Sequence, residues 1–253
     1  MCAQSQTRIL YQVATGKEMK KLLAAKYRQG VDSREQPLYT IKEASLYIGV
    51  DSQTLTTWLF GRHYQTRGGR KLWDPVLIPA DKELRLLSFN NLAEAHILAA
   101  TRYAHKVPFG AVRSAIVNVV AAQPSASQHP LLSDEFFTNG KLLFVKGIAD
   151  YVNISSKQLS LQIMEDFLVR VIRDGHGASK FYPLLPGEPN DRVISIAAGV
   201  SASRPTIDGT GVPVNAIWRR HKAGEEEQFI AEDFGLDPLK VRRAINYLER
   251  RTA

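Results

Sequence analysis

One segment constrains the fold of this 253-residue chain more than any other: Tyr39 to Gly61, YTIKEASLYIGVDSQTLTTWLFG. Ala44, Ile48, Val50, Leu55 and Trp58 fall at the apolar positions that press two crossed helices together. Ser45 is small where a larger side chain would hold those helices apart. Gly49 falls at the sharp turn between them, where φ > 0 is needed. Asp51 or Ser52 is placed to cap the second helix. What remains outward on that helix is polar and short: Ser52, Gln53, Thr56 and Thr57. This is the residue pattern of a helix-turn-helix, whose second helix fits the DNA major groove. Thr40, at the entrance to the motif, joins these as a candidate DNA contact.

The next stretch, GRHYQTRGGRKLW, reads as a β-hairpin turning at Gly68-Gly69, a basic wing. Arg62, His63, Arg67, Arg70 and Lys71 are its candidate phosphate contacts. The alternative is a surface hairpin whose arginines meet only water. Its position directly behind the helix-turn-helix favours the wing. Residues 1–80 hold 12 Lys+Arg against 6 Asp+Glu, residues 81–190 hold 11 against 10, and residues 191–253 hold 10 against 9. Most of the net +8 therefore lies in the third that carries the motif, where a polyanion would be drawn.

The spacing predicts a mainly α chain in four parts. Residues 1–37 form an N-terminal extension with an amphipathic helix near 15–29. Residues 38–175 form a winged helix-turn-helix followed by central helices and a hairpin. A Gly/Pro-rich linker covers 176–190, and a small helix-turn-helix-like domain covers 191–253. In the central part, Ser88 opens a helix that breaks at Val107-Pro108-Phe109-Gly110 and gives way to a second helix reaching about 121. Pro124–Pro130 is a loop, Phe136–Val145 a hairpin turning at Asn139-Gly140, and Lys157 to about Arg173 a long helix.

The C-terminal part repeats the opening pattern with other residues. In QFIAEDFGLDPLKVRRAINYL, Ile230, Phe234, Leu236, Val241 and Ala244 take the apolar positions, Ala231 is the small residue and Gly235 the turn. Asp237 and Pro238 begin the second helix, and a helix near Asn215–Lys222 precedes the pair. Before it, SRPTIDGTGVPV reads as a short strand-turn-strand edge. Lys240, Arg242 and Arg243 point outward, a second candidate contact for DNA or a partner. Glu225-Glu226-Glu227 beside the first helix of this unit is unfavourable near phosphate and tips the reading toward protein contact.

Little in the chain points to catalysis. His63, His96, His105, His129, His176 and His221 show no metal-ligand spacing, and no nucleophile elbow, P-loop or dinucleotide fingerprint occurs. The expectation is a protein without enzymatic activity, cofactor or metal. The single Cys2 cannot pair within the chain, no apolar run is long enough to cross a bilayer, and the first residues lack a secretory signal. A cytoplasmic protein without a membrane partner is expected. A lone helix-turn-helix has limited affinity, so a homodimer reading paired half-sites is expected as well.

These motifs carry a resemblance. Pro205-Thr206-Ile207, Gly209-Thr210-Gly211-Val212-Pro213-Val214, Ala223-Gly224 through Ile230, and Val241 to Tyr247 resemble the domain of unknown function 433, with Gly211 standing where that family usually has Arg. Tyr39-Thr40-Ile41, Thr54-Leu55 with Trp58, Ser88-Phe89 with Leu92, Val112-Arg113, and His129-Pro130-Leu131 followed by Thr138-Asn139-Gly140 resemble the MerR-like helix-turn-helix of larger VapB-type antitoxins that end in this domain. The resemblance implies the antitoxin of a type II toxin–antitoxin pair. Such a protein binds a cognate toxin, often a PIN-like ribonuclease, and double-stranded operator DNA, repressing its own operon. The alternative is a MerR-like transcriptional regulator without a toxin, responding to a small ligand.

Overall fold

The computed structural model describes residues 32–66, 68–105, 109–122, 128–133, 136, 168–174, 177–183 and 191–252. The expected helix near 15–29, Arg67, the hairpin beyond Phe136 and most of the helix from Lys157 lie outside the described residues.

Two helices, α1 (Ile41–Ile48) and α2 (Ser52–Phe60), form the helix-turn-helix. Ala44, Ile48, Val50, Leu55 and Trp58 are all buried, as the spacing requires. Gly49 ends α1 at φ 71°, its N–H donating to the Ser45 carbonyl. Asp51 caps α2, its carboxylate accepting from Thr54 N at 2.7 Å. Thr40 caps α1 in a capping box with Glu43: each side chain accepts from the other's backbone N–H. Strand β1 (Tyr39–Thr40) enters α1 and pairs antiparallel with the later β4 (Leu86–Leu87).

The wing is the antiparallel hairpin of β2 (Arg62–Thr66) and β3 (Gly69–Trp73). Its closing pair is Thr66↔Gly69, so the loop is residues 67–68 and Gly69 belongs to the strand. The wing is anchored at its base. Trp58 O accepts from Val76 N at 2.8 Å and from Leu77 N at 3.0 Å, drawing the exit of the hairpin back onto α2. At the entry, Gly61 has φ +73°, and a Cβ there would lie 2.1 Å from the Trp73 carbonyl oxygen.

Beyond the wing, α3 (Phe89–His105) and α4 (Phe109–Ala122) supply the wall on which the motif packs. Ser88 caps α3 by accepting from Asn91 N at 3.1 Å. One buried core joins α1, α2, α3 and α4 through Trp58, Phe89, Leu92, Ile97 and Ile116.

Two expectations are corrected. Val171–Asp174, read as the end of a long helix, is a strand, β5, paired with β6 (Gly177–Phe181). Val171 and Ile172 are β-branched, and the following Asp-Gly favours a hairpin turn over another helical turn. Strand β6 in turn lies inside the stretch 176–190 read as a linker. It pairs with β7 (Ile194–Ala197), which pairs with β8 (Thr206–Ile207), giving one sheet in the order β5-β6-β7-β8. That sheet joins the two halves: Phe181 and Ile196 pack in the first core, whereas Ile194 and Ile207 pack in the second. Buried Arg170 secures the sheet margin, donating to the carbonyls of Tyr182, Pro183 and Asp191.

The second core holds α5 (Val214–Lys222), α6 (Glu227–Phe234) and α7 (Pro238–Thr252). Ile230, Ala231, Val241 and Ala244 are buried, Phe234 and Leu236 pack against them, and Gly235 turns at φ 62°. The edge before α5 is as expected: Gly209 and Gly211 take positive φ, and Thr206 bridges Pro213. Helices thus dominate the described residues, interleaved with small sheets.

Gly61→Ala should destabilise the protein by on the order of 2–3 kcal/mol, because the new methyl group collides with backbone at an unfavourable φ. Gly69→Ala, whose Cβ would meet nothing within 4 Å, should cost less. Equal thermal midpoints for the two variants would contradict this account of the wing base.

Candidate nucleic-acid interface

Helix α2 is uncharged along its length, SQTLTTWLF, and its faces divide cleanly. Leu55, Trp58 and Leu59 are buried, Ser52 and Gln53 are exposed, and Thr56 and Thr57 are half-exposed. Thr56 donates its hydroxyl to the Ser52 carbonyl at 2.7 Å and Thr57 to the Gln53 carbonyl at 2.9 Å. Their hydroxyl protons are thus used inside the helix. Each keeps acceptor lone pairs and a methyl group suited to a cytosine amino group or a thymine methyl. Gln53 keeps a full amide, able to bind adenine in the bidentate manner. Thr40 is placed differently: its hydroxyl is held by Glu43 in the cap, donating to the carboxylate at 2.9 Å.

The wing register sorts its side chains, since cross-strand partners share a face. Arg62, Tyr64, Lys71 and Trp73 share one, with the Tyr64 and Trp73 rings 5.3 Å apart. His63, Gln65, Arg70 and Leu72 share the other. Arg62, His63, Arg70 and Lys71 are all exposed. The basic residues are therefore divided between the two faces of the hairpin, Arg62 and Lys71 on one, His63 and Arg70 on the other.

Arg85 was not singled out in the sequence and joins this group in space. It lies in the turn closed by the Asp81↔Leu86 bridge and shaped by the Asp81 carboxylate, which accepts from Glu83 N and Leu84 N. It has φ 56°, rare for a non-glycine residue, and its exposed guanidinium lies over the Phe60 ring, 4.3 Å from the centroid. Phe60 ends α2, so this cation stands at the C-terminal end of that helix, where the helix dipole also favours it. The sequence signal was the Asp81 turn starter four residues ahead of an arginine set among leucines.

Comparison with known proteins agrees with this geometry. Residues 37–116 match the family described as "Putative DNA-binding HTH domain", and residues 194–248 match "Protein of unknown function (DUF433)". The chain is 27% identical over 234 residues to "Putative antitoxin VapB45" of Mycobacterium tuberculosis, covering 83% of this chain and 93% of that protein. The chain resembles an antitoxin over most of its length. The crystal structure of Rv2018 from Mycobacterium tuberculosis shares the fold, with a TM-score of 0.58 at 24% identity over 83% of this chain and 97% of that one.

The second helix-turn-helix-like pair is electrostatically unlike the first. Arg242 Nε pairs with Glu227 at 2.9 Å and Arg243 Nε with Asp191 at 3.3 Å. Arg220 of α5 is shared between Glu225 and Asp233. Of the three basic residues singled out there, two are thus neutralised by carboxylates of the same domain, while Phe229 and Leu239 are exposed. Among the described residues no helix is long and apolar enough to cross a membrane.

One histidine gathers the partners its sequence did not show. His129 is buried, with Nδ1 2.8 Å from Glu94 and Nε2 2.7 Å from Glu35. Only an imidazolium can donate to both carboxylates at once. Burial works against its charge, but the bonds to Glu35 and Glu94 override this and hold it up at about 10. Burial likewise pushes Glu35 up, yet its bonds to His129 leave it net below its ordinary value; fully buried Glu94 is raised. The cluster pins residues 32–37 onto α3 and the turn Pro130–Leu132, and Arg34 adds a bidentate pair to Asp174 of β5.

The raised imidazole contributes fully below its ordinary pKa of 6.5 and loses that contribution as pH climbs toward 10. Depressed Glu35 contributes above 4.5 and loses it in acid. His129→Gln should cost on the order of 3 kcal/mol near pH 6. In denaturant titrations the gap from wild type should shrink as pH rises to 10; a gap constant over that range would contradict a charged His129.

Proposed function

We propose that this protein is an antitoxin-type regulator that binds duplex DNA through α2 and its wing and a toxin protein through its C-terminal domain. One observation carries the DNA reading: an exposed, uncharged, hydrogen-bonding face on α2, flanked by basic side chains on a rigidly anchored hairpin. Short polar side chains discriminate bases and the cations hold phosphates, the division of labour that groove recognition needs. Ser52, Gln53, Thr56 and Thr57 meet base edges. Arg62, His63, Arg67, Arg70 and Lys71 hold phosphates in the manner of a MerR-like wing, with Arg85 added, and Thr40 acts through the cap of α1. The target is the operator of the protein's own operon, which a homodimer reads as paired half-sites and represses.

The toxin reading is supported by the antitoxin relative and by the internal neutralisation of Arg242 and Arg243. A surface whose positive charge is already matched is poorly suited to phosphate and better suited to a protein. A PIN-like ribonuclease is the toxin class proposed.

Two measurements separate base contacts from phosphate contacts. Arg70→Ala with Lys71→Ala should weaken binding to every duplex and reduce the slope of log K against log salt by about one unit per lost contact. Gln53→Ala should leave that slope unchanged and relax base preference at one position, by about 1–3 kcal/mol. An unchanged slope in the first variant would overturn the wing assignment. For the toxin, Phe229→Glu with Leu239→Glu in the full chain, which charges two exposed apolar side chains of the C-terminal domain, should abolish copurification with a co-expressed PIN-like ribonuclease, and undiminished copurification would contradict the C-terminal assignment.

A further inference from the structure

The C-terminal domain touches the helix-turn-helix directly, and it does so on α1, the helix that supports α2. Buried Tyr247, on α7, donates its hydroxyl to the Tyr47 carbonyl at 2.8 Å. Tyr47 stands in the last turn of α1, where carbonyls lack a partner within the helix, so the C-terminal domain supplies part of the cap at the turn between the two helices. Beside it Leu46 packs into the C-terminal core rather than its own.

A second bond runs the other way. Tyr39, buried at the entrance to α1, donates its hydroxyl to the Ser203 carbonyl and meets the Tyr47 ring edge-on, centroids 6.0 Å apart. Burial pushes the Tyr39 phenol far above its ordinary range, so it remains a donor. Ser203 ends an unusual turn: Ser201, Ala202 and Ser203 take φ 48°, 55° and 53°, three consecutive non-glycine residues in the left-handed region. The turn is braced by Ser201, which donates to the Gly211 carbonyl at 2.7 Å, and by the Ser203 hydroxyl, which accepts from Gly199 N at 3.0 Å. A conformation this disfavoured persists only where its surroundings fix it, and here it presents a carbonyl to the first residue of the DNA-binding motif.

We propose that this seam is the positioning element of the DNA-binding surface: the docked C-terminal domain fixes α1 through Tyr247, Leu46 and Tyr39, and thereby the angle at which α2 and the wing meet DNA. The proposal rests on the DNA-binding reading above and adds what sets the orientation of that site. Tyr39 and Tyr247 are positioning residues; neither carries charge to a phosphate.

The test is a fluorescence-anisotropy titration of full-length protein against a labelled duplex spanning the DNA just upstream of its own reading frame. Tyr39→Phe with Tyr247→Phe removes both seam hydroxyls and keeps both rings. Affinity should fall on the order of tenfold, about two- to fivefold per lost bond, with the salt slope unchanged. Hydrogen exchange measured without DNA should rise across residues 41–60. Tyr182→Phe, which removes a hydroxyl bonded to Asp208 away from the seam, should leave both readouts as in wild type. Unchanged affinity in the double variant would overturn the positioning role, and so would a reduced salt slope, which would mean that a phosphate contact had been lost. A wild-type chain that binds no duplex would instead defeat the DNA-binding reading itself.

Discussion

Trp58 is the point on which the DNA-binding half depends. Its buried ring belongs to the core that α1, α2 and α3 share, and its carbonyl oxygen takes the N–H groups of Val76 and Leu77, just beyond the wing. One residue thus sets both the helix crossing and the attachment of the hairpin. Large buried aromatic side chains contribute several kcal/mol each, and a carbonyl serving two donors ties that packing to backbone geometry. Helix α2 and the basic hairpin are consequently tied together at the hairpin base. In the proposed function this matters for short side chains such as Ser52 and Thr56, which have no length with which to correct a misplaced helix.

The other half is joined to this body rather than appended to it. The sheet β5-β6-β7-β8 contributes Ile196 to one core and Ile194, two residues earlier, to the other. With the seam on α1 and the pair between Arg34 and Asp174, long-range contacts hold the segments together on several sides. For the DNA and the toxin proposed above, such continuity would make binding at one end an event the other end can register.

What the residues revealed in advance was what short range dictates. The apolar spacing of Ala44, Ile48, Leu55 and Trp58, the left-handed turn at Gly49 and the Asp51 cap depend on neighbours a few positions away, and all were legible. The edge at Gly209 and Gly211 was legible for the same reason. Strand β5 was not, because the apolar run before it continues a helical stripe through Val171 as readily as it begins a strand. The linker was misread because Gly and Pro mark hairpins as well as boundaries, and the pairing of β6 with β7 is a tertiary choice. Nor could spacing show that His129 would find Glu35 and Glu94, or that Arg242 and Arg243 would be neutralised by Glu227 and Asp191. Candidate contacts on α2 and the wing could be named from local pattern. Arg85 and the seam tyrosines could not, since their partners lie far along the chain.

The central claim is that α2 occupies the major groove while the wing holds the flanking backbone. Dimethyl sulfate protection reports it most directly, since guanine N7 lies in the major groove and adenine N3 in the minor. With the upstream duplex saturated by protein, protected guanine N7 positions should cluster in two groups about one helical turn apart, one for each half-site. Protection confined to adenine N3, with every guanine N7 still reactive, would contradict the account.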